Sequence, residues 1–156
     1  MEKLELKHLA PYLPYELMII ETHEKPHKPS VGQVNSLNIP NRVLNYRTNR
    51  FPFSDTVHFS RMKLILRPLS DLTKEIEVNG EKFVPFHNMG TDKFYLGLNS
   101  TGVIIHQNKG QIGLNSIDVY KDVYSKLFEW HFDVFGLIEK GLAIDINTLN
   151  NPPKEK

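Results

Sequence analysis

Seven histidines in a chain without cysteine make metal or acid–base chemistry the first possibility to weigh. His23, Glu24 and His27 spell the His-Glu-x-x-His order in which two imidazoles hold zinc and the glutamate activates a water. That chemistry needs both rings one turn apart on a helix. Pro26 lies between them and Pro29 follows, and proline denies the segment that helix. The string therefore reads as a loop, with adventitious surface metal binding as the alternative. His131 lies in an apolar stretch and reads first as a core histidine. A role as acid, base or ligand would need groups from elsewhere, such as His87 or His106, because Asp133 falls well around the same predicted helix. No catalytic, cofactor-binding or metal-ligating residue is assigned, no cofactor is expected, and a noncatalytic protein is the first reading.

The second chemistry-bearing stretch is basic. Between Arg42 and Arg67 the chain carries Arg42, Arg47, Arg50, Arg61, Lys63 and Arg67 against Asp55 alone, interleaved with Tyr46, Phe51, Phe53 and Phe59. Arginine beside aromatic residues suits a protein interface. It equally suits a surface that neutralises a nucleic-acid backbone and stacks on bases. A third reading needs no partner: aromatics point inward from strands while arginines reach out to water. Arg42, Arg47, Arg50, Phe51, Phe53, Arg61 and Lys63 are the candidate contact residues. The glycines at 97, 102, 110 and 113 lack the spacing of a phosphate loop, a dinucleotide fingerprint or a nucleophile elbow.

The element that would position these groups is a predicted helix from Ser116 to Phe135. At 100° per residue, Tyr120, Val123, Tyr124, Leu127, Phe128, Trp130, His131, Val134 and Phe135 share one broad face, the pattern of a helix lying on a core. Phe132 falls near the polar edge. Gly136 is placed to end the helix.

Before it, Met1–Leu13 reads as a short amphipathic helix interrupted by prolines. Leu17–Glu21, Val31–Ile39, the Val43–Tyr46 stretch and Val57–Leu66 read as strands. Arg47–Asp55 reads as an exposed loop. Ser70 caps a short helix through Leu72 towards Ile76, which competes with a hairpin centred on Asn79–Gly80 in which Ile76 faces Phe83. The helix ending before Glu77 is preferred. Phe94–Asn99 and Val103–His106 form a second hairpin, Gln111–Leu114 a weak strand and Leu142–Ile146 a last one.

These elements do not alternate strand with helix, so a doubly wound parallel sheet is excluded. The expected fold is α+β. An antiparallel or mixed sheet, in one version curled into a small barrel, packs against one long C-terminal helix. The expected organisation is a single domain over residues 1–149 and a flexible tail over 150–156. The 156-residue length, 40% hydrophobic content and formal net charge of +1 fit a globular protein with no overall pull towards nucleic acid or membrane. The first 68 residues carry ten basic and six acidic side chains, the remainder nine and twelve. No apolar run is long enough for a membrane span and no signal-peptide pattern opens the chain, so a cytoplasmic location is expected.

Three stretches carry a resemblance: LELKHLAPYLPYELM at 4–18, LRPLSDLTKEIEVNGEKFVPF at 66–86 and LFEWHFDVFGLIEKGLAIDIN at 127–147. Together they resemble small proteins encoded by phages and prophages of gut bacteria related to Bacteroides. The resemblance covers about a third of the chain. It implies a host-cell setting during phage or prophage expression and supplies no catalytic residue, cofactor or substrate. The expected function is that of an accessory protein that binds another macromolecule, a protein first. Single-stranded nucleic-acid binding through residues 42–67 is the alternative, and an enzyme with a histidine-containing site is the third reading.

Overall fold

The computed structural model describes residues 2–22, 29–48, 54–90, 94–99, 102–107 and 116–150. The chain divides into two compact units, Met1–Pro68 with His131–Lys156, and Leu69–Trp130.

The first unit is built on a six-stranded mixed sheet. Its strands are β1 (Met18–Glu21), β2 (Ser30–Asn38), β3 (Val43–Arg47), β4 (Ser54–His58), β5 (Met62–Leu66) and, from the far end of the chain, β10 (Ala143–Asp145), in the order β10-β5-β1-β2-β3-β4. The apolar runs of β1 and β5 are buried over most of their length, as expected of central strands flanked on both sides. β2 is long because it serves two partners. Its first half pairs with β1 and its second with β3, and the register shifts between Val34 and Ser36.

Gly32 makes the turn from one partner to the other sterically possible. A Cβ there would stand 2.5 Å from the Arg47 carbonyl oxygen and 2.6 Å from the Tyr46 ring. On the outer face, Asn35 donates to the Ser54 hydroxyl, Asn45 donates to Ser36, and Thr56 donates to Asn45, giving the exposed side a ladder of uncharged polar groups.

The sheet is not a curled barrel. Closing one requires its end strands to pair, but β10 and β4, at the two ends of the strand order, are not paired with each other. The predicted strand Val57–Leu66 is also broken. A 3-10 turn over Phe59–Arg61 separates β4 from β5.

A short N-terminal arm carries α1 (Leu6–Leu9) and a 3-10 turn over Leu13–Tyr15, shorter than the helix expected there because Pro11 and Pro14 interrupt it. A return segment, His131 to Leu142, leads into β10, and α4 (Ile146–Asn150) follows, starting at the last residue of the stretch read as the final strand. Asp145 accepts the Asn147 backbone N–H at its start.

The second unit holds a 3-10 turn (Leu69–Thr73), the hairpin β6 (Ile76–Val78)–β7 (Glu81–Phe83), α2 (Pro85–Asn88), the hairpin β8 (Phe94–Asn99)–β9 (Gly102–Gln107), and α3 (Ser116–Glu129). The competition around Ile76 is resolved in favour of the hairpin, with Ile76 opposite Phe83. Asn79 and Gly80 both take positive φ, as a tight two-residue turn requires.

The long helix differs from expectation in length and place. It stops at Glu129 because His131 takes a left-handed backbone, φ 58°. His131 to Asp133 then bridges to the end of β5, with the Arg67 N–H donating to the His131 carbonyl and the Asp133 N–H to the Arg67 carbonyl, both at 2.8 Å. The residues that widened the predicted apolar arc therefore leave the helix for the first unit. Phe132, placed near the polar edge by the helical pattern, is fully buried there.

Candidate functional site

The basic segment is spread out by the fold. Arg42 sits in the turn before β3 with φ 53° and donates to the Leu4 carbonyl at 3.0 Å, so it ties down the N-terminal arm. Arg47 lies at the other end of β3, exposed, opposite Gln33 and Ser54. Arg61 faces Glu21 at 3.6 Å, and Lys63 is half-buried on β5 opposite Ile20. Tyr46 and Phe59 are core residues. Arg50, Phe51 and Phe53 lie outside the described residues, as do His23, Glu24, His27 and the Gln111–Leu114 stretch.

Beneath the basic residues, the Tyr46 hydroxyl donates to Glu21 at 2.6 Å. Burial and that carboxylate push the phenol well above its ordinary pKa, so it stays a donor at any physiological pH.

His87, exposed on α2, belongs to the second unit, while His131 belongs to the first. Among the described residues no three histidine or carboxylate side chains come together in a way that would hold a metal ion. His131 instead joins a cluster with Tyr12, Phe135 and His8. The Tyr12 and His131 rings stack at 6.3 Å, Phe135 meets Tyr12 edge-on at 6.3 Å, and His8 lies 5.8 Å from Phe135. The Tyr12 hydroxyl donates to the Phe132 carbonyl at 2.7 Å. Burial raises the pKa of Tyr12 and lowers those of His8 and His131. Asp133 accepts from the Leu137 and Ile138 N–H groups at 2.7 and 2.8 Å, capping the turn that follows.

The feature that sequence reasoning misplaced is on α3. Its packed stripe is aliphatic, with Val119 and Leu127 buried and Val123 half-buried, and it continues to Trp130. Trp130 lies 5.1 Å from Phe83 and beneath the Lys126 ammonium, which donates to the Asn88 carbonyl. About 100° around the helix runs a second stripe, Tyr120, Tyr124 and Phe128, at one-turn intervals. Tyr120 is 58% and Tyr124 45% exposed, although both were expected on the core face. The Tyr124 and Phe128 rings stack at 6.2 Å. The available signal was side-chain type. The two stripes together span too wide an arc for one small core, and tyrosine tolerates water where valine and leucine do not.

Among the described residues no helix is long and apolar enough to cross a membrane. Comparison with protein-family models, with curated proteins and with solved structures gave no match.

Proposed function

We propose that this protein works by binding another protein, without chemistry of its own, as an accessory factor of a phage or prophage, and that the aromatic stripe of α3 anchors the contact. One observation carries the reading: two tyrosines one turn apart, each about half in water, in line with Phe128. Large rigid rings with a polar tip lose little entropy on docking and dominate the energetics of protein interfaces. Helices that lie in a partner's groove present anchors at this spacing.

Three rings of about 150–250 Å² each, already partly covered, fall short of the ~800 Å² per partner of a stable complex. The partner therefore covers more of α3 than the stripe, or the contact is transient. Arg42 and Arg61 are engaged within the fold, which favours this reading over nucleic-acid binding through residues 42–67.

The test is co-purification from host cells of the full chain, its Tyr120→Ala/Tyr124→Ala form and its Arg47→Ala/Arg61→Ala form, with the captured partner then purified and rebound. Loss of that partner with the tyrosine pair and retention with the arginine pair is the expected result. A parallel titration with labelled single-stranded DNA and RNA at several salt concentrations addresses the alternative. Tight binding that weakens steeply with salt and disappears in an Arg47/Arg50/Arg61 triple-alanine chain would replace the proposal.

A further inference from the structure

The N-terminal arm contributes no strand to the six-stranded sheet, yet it buries Leu4, His8, Leu9 and Tyr12. It is held largely by the return segment. Lys140 pairs with Glu2 at 3.1 Å, the Tyr12 hydroxyl reaches the Phe132 carbonyl, and the four-ring cluster of His8, Phe135, Tyr12 and His131 lies between them.

His8 is bonded in a way that only the neutral ring satisfies, and His131 has a ring nitrogen that a proton would leave unpaired. His8 Nδ1 accepts the Glu5 backbone N–H at 3.1 Å, closing the cap of α1, and a proton on Nδ1 would break that bond. His131 bonds the Tyr15 backbone, which favours the charged ring, but burial outweighs that bond, and the buried Nε2 has no partner among the described residues. A proton added at Nε2 would be a buried donor with nothing to receive it, next to the Arg67 guanidinium.

The other groups facing the pair do not rescue the charge. Glu5 is engaged by Lys7, Glu2 by Lys140, and the Asp133 carboxylate by the Leu137 and Ile138 N–H groups.

We propose that the arm, residues 2–16, is an acid-released latch: mildly acidic solution detaches it from the 131–142 segment while the sheet stays intact.

The direction follows from linkage. Burial lowers both histidine pKa values in the docked state, so the released arm binds protons that the docked arm refuses. Docking is at full strength above the ordinary histidine pKa of about 6.5 and weakens as pH falls below it, until the docked-state values are passed. Between pH 7.5 and 5.5 each histidine shifts the opening equilibrium by up to about tenfold, and the pair by up to about a hundredfold.

Hydrogen exchange of the full chain at pH 7.5, 6.5 and 5.5, corrected for intrinsic rates, reads this directly. The expected result is a large loss of protection over residues 2–16 at pH 5.5, with β1, β2 and β3 still protected at that pH. His8→Asn keeps a neutral acceptor near Nδ1, and His131→Asn suits a left-handed backbone. Each alone should reduce the loss to about tenfold. Should either variant fail to dock at pH 7.5, NMR titration of the two rings in the unaltered chain decides, and ordinary pKa values for both would overturn the latch. So would constant arm protection across pH, exchange of the sheet as complete as that of the arm, or an undiminished loss in the docked variants.

Discussion

Tyr12→Phe isolates the bond that holds the arm to the return segment. Tyr12 has no exposure to solvent, and its hydroxyl donates to the Phe132 carbonyl at 2.7 Å while receiving the Val134 N–H at 3.4 Å. Phenylalanine keeps the ring and its contacts with His131 and Phe135, so there is almost no transfer or cavity contribution. What is lost is the hydroxyl, leaving the Phe132 carbonyl without that donor in a buried place. Such losses destabilise by about 1–3 kcal/mol. With a urea m-value of about 1–3 kcal/mol/M, the midpoint should fall by roughly 1 M without a change in slope. The assay is urea unfolding followed at the backbone amides of β1 and β5, which report the first unit. Tyr120→Phe, altered on an exposed ring, should stay within about 0.5 kcal/mol of the parent. Equal midpoints for Tyr12→Phe and the parent would refute the reasoning and remove the arm's docking from the account of stability.

Gly32→Ala should destabilise by about 3 kcal/mol or prevent folding, because its Cβ meets the Arg47 backbone and the Tyr46 ring. Gly80→Ala, strained at φ 85° but in open space, should lower stability by only about 1 kcal/mol; thermal melts separate the two. Leu127→Ala should destabilise by about 2–5 kcal/mol and Tyr124→Ala by under about 1 kcal/mol, as the sole tryptophan, Trp130, reports in fluorescence-detected unfolding. Replacing residues 69–130 with a short glycine linker should leave the six-stranded sheet folded, since the Arg67 and His131–Asp133 backbones that flank the excision are already hydrogen-bonded. Collapse of the amide spectrum would contradict that.

Most of the strands were legible because their signals are local. β1, β3 and the second hairpin of the second unit fall within a residue or two of where apolar runs and turn residues place them, whereas the first hairpin, signalled by Asn79–Gly80, was passed over at Ile76 for a short helix. The sheet's parallel edge strand was recognisable as a strand, but its partner was not. Pairing of β10 with β5 joins residues far apart in sequence, so no local signal marks it.

The helix misled for a physical reason. An apolar residue after Glu129 looks the same whether it continues a helical face or enters a strand-like bridge, and the left-handed turn at His131 is not encoded by a glycine or proline. Gly136, read as the helix stop, takes its positive φ within the return segment instead. Periodicity also cannot separate two adjacent stripes on one helix, so the exposed rings of Tyr120 and Tyr124 were counted as core. The same blindness merged arginines that the fold holds apart: sequence proximity placed Arg42 beside Arg47, whereas β3 sends them to opposite ends.

The claim that α3 meets a partner protein is tested most directly by photo-crosslinking in host cells, with benzoylphenylalanine at position 124 and, separately, at position 47. The account predicts one dominant protein adduct from position 124, abolished by adding Tyr120→Ala, and none of that adduct from position 47. Absence of any protein adduct from position 124, or the same adducts from both positions, would contradict it.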